Sequence, residues 1–257
     1  MVRLILSHIP LYKMLKEIKE FYDRTKFNFS KNIDMPTEND VPANWIRIFF
    51  KRYPRMPVVD LIPEINNGEY QKLLSQRTSK RDYIDEKIPL KKLSNLIHYS
   101  AGIRNIDAPS NDTKRFYPSG GARFPIELYY LSNNTEDLDE GLYHYDVKRD
   151  RLEKLLHKNL REESSEIFGR DVNTNNPNYV ILSSVINRSE VKYGFNAYRF
   201  SLIECGHIGQ NIYLSSQREE LGCCALGGFD NDRITRLLDL TKEEIPLYAF
   251  SLGLVST

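Results

Sequence analysis

The sequence predicts an α+β fold, and three observations carry that reading. Residues 179–186 are apolar almost throughout, interrupted only by Ser183 and Ser184, which is the pattern of a buried strand. Residues 199–218 place Leu202, Cys205, Ile208 and Ile212 at helical spacing along one face. Helical and strand patterns then follow one another without the strict alternation that builds a parallel βαβ sheet.

The elements can be justified in chain order. Apolar residues at positions 11, 14, 15, 18, 21 and 22 predict an N-terminal helix. A polar stretch, residues 28–44, follows with Pro36 and Pro42, and Pro54, Pro57 and Pro63 then hold the chain extended. Residues 1–68 therefore read as an arm lying on a larger body formed by residues 69–257. Tyr70, Leu73 and Leu74 mark a short helix in that body. Leu90, Leu93, Leu96, Ile97 and Ala101 mark a second, stopped by Gly102. Residues 125–131 form a strand. Residues 142–145 and 152–156, either side of a turn at 146–150, read as a hairpin or as a strand followed by a short helix. After the helix at 199–218, a strand from Leu221, a helix at 232–238 and a strand at 247–254 complete the order. Gly206 and Gly209 each cost the long helix about 1 kcal/mol relative to Ala. Such a cost suggests close approach by another backbone, another helix or a flat ligand.

Composition narrows the function classes. Across 257 residues, 36 Lys and Arg oppose 35 Asp and Glu, a net charge of +1. That balance lacks the basic excess of a globally steered nucleic-acid binder. No run approaches the roughly 18 apolar residues that span a bilayer, and residues 1–6 lack the form of a signal peptide. The three cysteines, Cys205, Cys223 and Cys224, make neither a disulfide framework nor a zinc pattern, and no metal site is expected. A cytoplasmic protein with reduced thiols is the expectation.

Five segments carry chemistry-bearing residues. On an extended backbone Arg77, Ser79 and Arg81 share a face, and two guanidinium forks with a hydroxyl suit a phosphate; a solvated basic loop is the plainer alternative. Ser119, Gly120 and Gly121 precede a strand, and the glycines let a backbone approach a ligand with free N–H groups; an ordinary turn explains them as well. Lys192 and Tyr193 pair a basic amine with a phenol. In a regular strand they point to opposite sides, so both serve one site only if the backbone turns, as Gly194 permits. Glu204, His207 and Gln210 form a stripe on the long helix, with His207 read as a satisfied core histidine. Gly227 and Gly228 follow an apolar strand that contains Cys223 and Cys224, both read as structural. No dinucleotide or P-loop glycine motif occurs.

The order of these segments is more specific than any one of them. Arg-x-Ser-x-Arg at 77–81 comes first, then Pro-Ser-Gly-Gly-Ala-Arg-x-Pro-Ile-Glu-Leu-Tyr at 118–129 and Gly-Leu-Tyr-His-Tyr-Asp at 141–146. Lys-Tyr-Gly at 192–194, Glu-x-Gly-His-x-x-Gln-Asn at 204–211 and Gly-Gly-Phe-Asp at 227–230 follow. The series resembles the SagB/ThcOx-type dehydrogenases, flavin enzymes of the nitroreductase superfamily, from about Phe21 onward. That resemblance implies a mostly antiparallel sheet flanked by helices, an intertwined homodimer, and FMN at the subunit boundary. It implies that Arg77, Ser79 and Arg81 contact the phosphate and ribityl chain. It places Ser119, Gly120 and Gly121 beside the flavin ring, Gln210 and Asn211 on the helix passing the cofactor, and Gly227 and Gly228 on the ring's other side. Lys192 and Tyr193 become the catalytic pair. The reaction implied is oxidation of peptide thiazolines and oxazolines to thiazoles and oxazoles, with a cyclodehydratase complex as partner and no nucleic acid or membrane. Lys192, as a neutral amine, would take a ring proton, with Arg123 or Arg199 as a nearby cation. The sequence departs from the pattern at Thr78, where Arg is commoner. Residues 251–254 also offer none of the basic side chains that often end general nitroreductases. Two alternatives remain at this level: an NAD(P)H-dependent nitro or quinone reductase, and a flavin-free scaffold subunit.

Overall fold

The computed structural model describes residues 11–27, 50–64, 68–105, 107, 113–169 and 175–256; the polar stretch expected at 28–44 lies outside them. One antiparallel sheet has the strand order β3-β2-β1-β4-β6-β5. Its strands are β1 Ile126–Ser132, β2 Gly141–Asp146, β3 Arg151–Leu156, β4 Asn178–Val185, β5 Leu221–Leu226 and β6 Glu244–Leu254. Among the described residues seven α-helices accompany it: α1 Leu11–Thr25, α2 Glu69–Gln76, α3 Leu90–Ala101, α4 Arg161–Phe168, α5 Asn187–Tyr193, α6 Asn196–Arg218 and α7 Asn231–Leu237. The fold is α+β, as the sequence predicts.

The sheet is the middle of three layers. Val180 and Leu182 of β4 pack with Leu93, Leu96 and Ile97 of α3 and with Cys205, Ile208 and Ile212 of α6. Tyr179 and Ile181, pointing the other way, pack with Ile167 and Phe168 of α4 and Ile234 of α7. Burial on both faces is why β4 reads as a continuous apolar run and does not alternate. Its two serines are satisfied: Ser184 Oγ lies 2.8 Å from Ser201 Oγ on α6, and Ser183 Oγ donates to Glu244 at 2.5 Å.

Two ambiguities are resolved. Residues 152–156 are strand β3, so the strand–helix alternative falls and the hairpin stands. Asp146 closes its turn by accepting from the Lys148 N–H at 3.1 Å, a local bond that competes with helix formation. Gly209 is required by close packing, since a Cβ there would meet Phe250 at 2.8 Å and Tyr248 at 3.2 Å. Gly206 has no such neighbour within 4 Å and lies on the exposed face of α6.

The N-terminal helix docks on this body. Ile18 and Tyr22 pack with Ile186, Ala197 and Ile245. The Tyr22 hydroxyl donates to the Pro246 carbonyl at 3.2 Å and accepts from Asn231 Nδ2 at 2.9 Å. α6 starts three residues earlier than its apolar stripe suggests because Gly194, at φ +54, ends α5 and lets the chain re-enter helix at once.

Candidate active site

The Arg-Ser-Arg segment runs beside the edge strand β5. Arg77 caps the C-terminus of α2, donating its N–H to Leu73 at 3.1 Å, and the Lys80 N–H donates to Cys223 of β5 at 3.0 Å. The Arg77 guanidinium lies 5.2 Å from the centre of the Tyr213 ring. The Tyr213 hydroxyl is 2.8 Å from Ser79 Oγ and also accepts the Ala225 N–H at 2.9 Å. One phenol on α6 thus ties the loop to the sheet. Two residues beyond Arg81, Tyr83 lays its ring on Gly222 and Gly253, where a Cβ would clash at 3.0 and 2.6 Å. Its hydroxyl bonds Ser251 Oγ at 2.7 Å.

Ser79, Lys80, Arg81, Asp82, Val255 and Ser256 line a cavity of about 510 Å³. Among the described residues neither Arg77 nor Arg81 is paired with a carboxylate. Arg81 and the held Ser79 hydroxyl on this cavity, with Arg77 beside them over the Tyr213 ring, suit a phosphate monoester. Beneath them, burial pushes the Cys223 thiol up to about 12 and the Cys224 thiol in the same direction; Arg77 and Arg81 oppose this only in part. Both cysteines are buried and free, and play the structural part the sequence suggests.

The glycine turn is strained, and it meets the Lys-Tyr pair. Gly121, Ala122 and Phe124 all have positive φ, at +62°, +53° and +47°. For the two non-glycine residues this conformation costs roughly 1–2 kcal/mol each. Such strain persists only where the surroundings enforce it. The Ser119 hydroxyl accepts the Phe124 N–H at 2.9 Å, and Arg188 Nη1 donates to the Phe124 carbonyl at 3.2 Å. Arg123 Nε reciprocates toward the Arg188 carbonyl at 2.6 Å. Arg188 is itself held by Glu127, whose carboxyl sits below its usual range: burial would raise it, but His144 and Arg188 outweigh that.

Lys192 and Tyr193 are not in extended chain, as a strand reading of that segment would have it. They form the last turn of α5, and Gly194 supplies the predicted reversal. Their head groups converge on the turn: a Cβ on Gly121 would sit 2.1 Å from the Tyr193 hydroxyl and 2.7 Å from Lys192 Nζ. Phe200 of α6 completes the wall, edge-on to Tyr193 at 4.8 Å and beside Gly120. Arg123 lies in this turn, whereas Arg199 is exposed on α6.

The helix stripe divides. Glu204 is buried, with one carboxylate oxygen unpartnered. Burial pushes its pKa up to about 7 against smaller opposing effects of Ser119 and Arg115. His207 is exposed, contrary to the expected core histidine, because Cys205, Ile208 and Ile212 face the sheet and leave position 207 on the opposite side; Leu202, expected in the same apolar stripe, is also exposed. Gln210 is exposed on that same side. Asn211 turns inward, its amide 3.4 Å from the Ser100 and Phe116 carbonyls, where it joins α3 to the segment before the glycine turn. Gly228 is covered by the Phe27 ring, 3.3 Å from its Cβ position, while Gly227 has open space.

Within one chain the predicted residues fall into two half-sites. Tyr213 marks the Arg-Ser-Arg half and Phe200 the glycine and Lys-Tyr half. Thirteen residues of helix separate them, about 20 Å at 1.5 Å per residue. Sequence reasoning missed Tyr213, Tyr83 and Phe200 as supports. Gly222 and Gly253 were the available signal for Tyr83, being places in strands where a ring can lie flat.

An antiparallel sheet covered by helices on both faces, with an arginine loop along its edge and a glycine turn facing a basic amine, has the architecture of the nitroreductase-like α+β oxidoreductase folds. The nitroreductase family profile matches residues 74–254, and the chain belongs to that family. Nitroreductase MJ1384 of Methanocaldococcus jannaschii is 26% identical over 199 residues, covering 75% of this chain and 94% of that protein. The microcin B17-processing protein McbC of Escherichia coli is 28% identical over 144 residues, 51% of each chain. The trifolitoxin-processing protein TfxB of Rhizobium leguminosarum is 25% identical over 194 residues, 70% of this chain and 51% of TfxB. In fold, a chain of the E. coli microcin synthetase McbBCD complex with truncated pro-MccB17 bound matches over 100% of both chains, with a TM-score of 0.74 and 21% identity. A nitroreductase from Ralstonia eutropha matches 76% of this chain and 89% of its own at a TM-score of 0.63 and 23% identity.

Proposed function

We propose that this protein is an FMN-dependent dehydrogenase that oxidises thiazolines or oxazolines in a ribosomally made peptide, working as a homodimer beside a cyclodehydratase. The observation that carries the reading is the convergence of Lys192 Nζ and the Tyr193 hydroxyl on the flank of Gly121. A reductase fed by a nicotinamide has no need of a basic amine at that place; removal of a proton from an acidic ring carbon does. The similarity to two peptide-processing proteins points the same way.

Arg77, Ser79 and Arg81 would hold the FMN phosphate, and the Gly120–Gly121 backbone would lie against its ring. A bound flavin supplies the two-electron acceptor. Lys192 takes the proton from the azoline carbon made acidic by the adjoining C=N and carbonyl groups. Tyr193 steadies the charge that develops, and Phe200 keeps water from this side of the turn.

The two half-sites come together when a second copy packs across α6. Leu202 and Ile203 are exposed on that helix, with Val191 and Phe195 on its approach. Gly206, open to solvent, lies at the midpoint between Phe200 and Tyr213. An antiparallel crossing there sets the Lys-Tyr half of one chain against the Arg-Ser-Arg half of the other.

The test is turnover of an azoline peptide by the purified flavoprotein. Lys192→Ala abolishes ring oxidation while flavin content stays as in the parent; undiminished turnover would remove Lys192 from the mechanism. A second reading, an NAD(P)H-dependent nitroreductase, draws on the match along nearly the full length of MJ1384. Rapid flavin bleaching by NADPH alone, with no azoline oxidation, would favour it. Against a flavin-free scaffold stand the uncommitted guanidinium groups of Arg77 and Arg81.

A further inference from the structure

A second cavity, of about 390 Å³, opens on the other side of the glycine turn. It is lined by Arg104, Lys114, Arg115, Phe116, Tyr117, Pro118, Ser119, Ala122 and Phe124. Three of these are cationic and none is acidic. Among the described residues no carboxylate lies within ion-pair distance of Arg104 or Arg115, although the buried Glu204 of α6 interacts with Arg115 from farther off. Arg115 Nε is buried without a hydrogen-bond partner, and its guanidinium lies 5.2 Å from the centre of the Phe124 ring. A buried, unpaired guanidinium donor is costly unless a ligand completes it.

The backbone holds these side chains in place. Ile103 and Arg115 form an isolated antiparallel bridge, and the Arg104 N–H donates to the Lys114 carbonyl at 2.8 Å, so the cations stand on two backbone segments tied to each other. The same turn serves both places: Ser119 and Ala122 line this cavity, and Gly121 between them faces Lys192 and Tyr193. The turn shared by the two places is what would let one ligand engage both Lys192 and this cavity. The walls formed by Phe116, Tyr117 and Phe124 suit a flat apolar body, and the cations suit an oxyanion attached to it.

We propose that this cavity is a specificity subsite for a carboxylate on the substrate peptide, an Asp or Glu side chain or the chain's terminal carboxylate next to the ring being oxidised. This rests on the peptide-dehydrogenase reading for the identity of the ligand, while the cavity's preference for an anion does not depend on turnover.

The experiment is equilibrium binding to the flavin-loaded protein, followed by fluorescence anisotropy. The probes are two labelled thiazole hexapeptides that differ only in Asp or Asn beside the ring. The Asp peptide should bind at least about tenfold tighter, the contribution of one charge-assisted hydrogen bond. The preference should shrink between 50 and 300 mM salt and largely disappear in Arg104→Gln and in Arg115→Gln. Arg104 is exposed, so its variant keeps the test valid should Arg115→Gln misfold. Equal binding of the two peptides, or an Asp preference that survives both variants, overturns the subsite. So does binding of NADPH but not NADH to a protein that binds neither peptide, since the cations would then serve a nucleotide phosphate. An Asp preference in a protein that oxidises no azoline would uphold the subsite and sink the dehydrogenase reading.

Discussion

Gly121 is the floor on which Lys192 and Tyr193 stand. A Cβ at Gly121 would come within 2.7 Å of the lysine nitrogen and 2.1 Å of the tyrosine oxygen, so the absence of a side chain there sets where both head groups rest. The residue is also at φ +62°, a conformation that suits glycine.

Gly121→Ala should therefore separate folding from chemistry. The clashing atoms are the ends of two flexible side chains, and the backbone strain is roughly 1–2 kcal/mol. The variant should fold, melt a few degrees lower and retain its flavin. With Lys192 pushed aside by about 1 Å, single-turnover oxidation should fall by about a hundredfold. Melting curves and stopped-flow traces on the same preparation check both halves; wild-type rates in the variant would mean the pair does not work from this floor.

Tyr213→Phe tests the other half-site. Losing the hydroxyl leaves the Ala225 N–H of edge strand β5 without its partner and releases Ser79. The cost should be about 1–2 kcal/mol in urea unfolding. Flavin should be lost more readily on gel filtration, read from the visible absorbance of the eluted protein. Full flavin retention would show that Ser79 needs no help from α6.

Much of this was legible in the residues. Gly102 marks the end of α3 because a helix needs a stop there, and the apolar run of β4 reads as buried because both of its faces are. Lys192 and Tyr193 could be named but not placed: the seven residues of α5, about two turns, make too short a helix to show a period and look like a loop. His207 is exposed because it lies off the face that Cys205, Ile208 and Ile212 turn to the sheet, so the general habit of histidines to pack in cores gave way to the helix spacing. Tyr213 stands one residue past Ile212, the last of the apolar positions that mark α6, and nothing in its neighbourhood singles it out. That its hydroxyl fastens Ser79 depends on two segments 134 residues apart, a relationship no local pattern carries.

Glu204 gives a pH signature with a definite sign. Burial raises its pKa from 4.5 to about 7, with Ser119 and Arg115 opposing. The folded chain keeps a proton that the unfolded chain releases between those values. The contribution of Glu204 is thus most favourable below pH 4.5, worsens as pH climbs through the window, and is flat above 7. The total change is on the order of 3 kcal/mol. Glu204→Gln keeps the shape without the ionisation. Its Tm should fall less than the parent's between pH 5 and pH 8, and at pH 8 it should be the more stable protein. Parallel melting profiles for the two proteins would refute the assignment.

The crossing at Gly206 makes the strongest demand on the protein, because flavin binding and catalysis then both depend on assembly. Ile203 lies on the exposed face one turn from Gly206, and it is 49% exposed in a single chain, an awkward place for an isoleucine. Burying it against a second copy gains roughly 1–2 kcal/mol per side chain, whereas a carboxylate at that position would have to be desolvated. Ile203→Glu should convert a dimer to a monomer in light scattering and release flavin at the same time. Arg77, Ser79 and Arg81 are untouched by the change, so flavin loss would show that the phosphate loop of one chain is insufficient without the glycine turn of the other. A colourless monomer is the expected product. A yellow, active monomer would mean that each chain closes its own site across the 20 Å of α6, and that the antiparallel crossing is wrong.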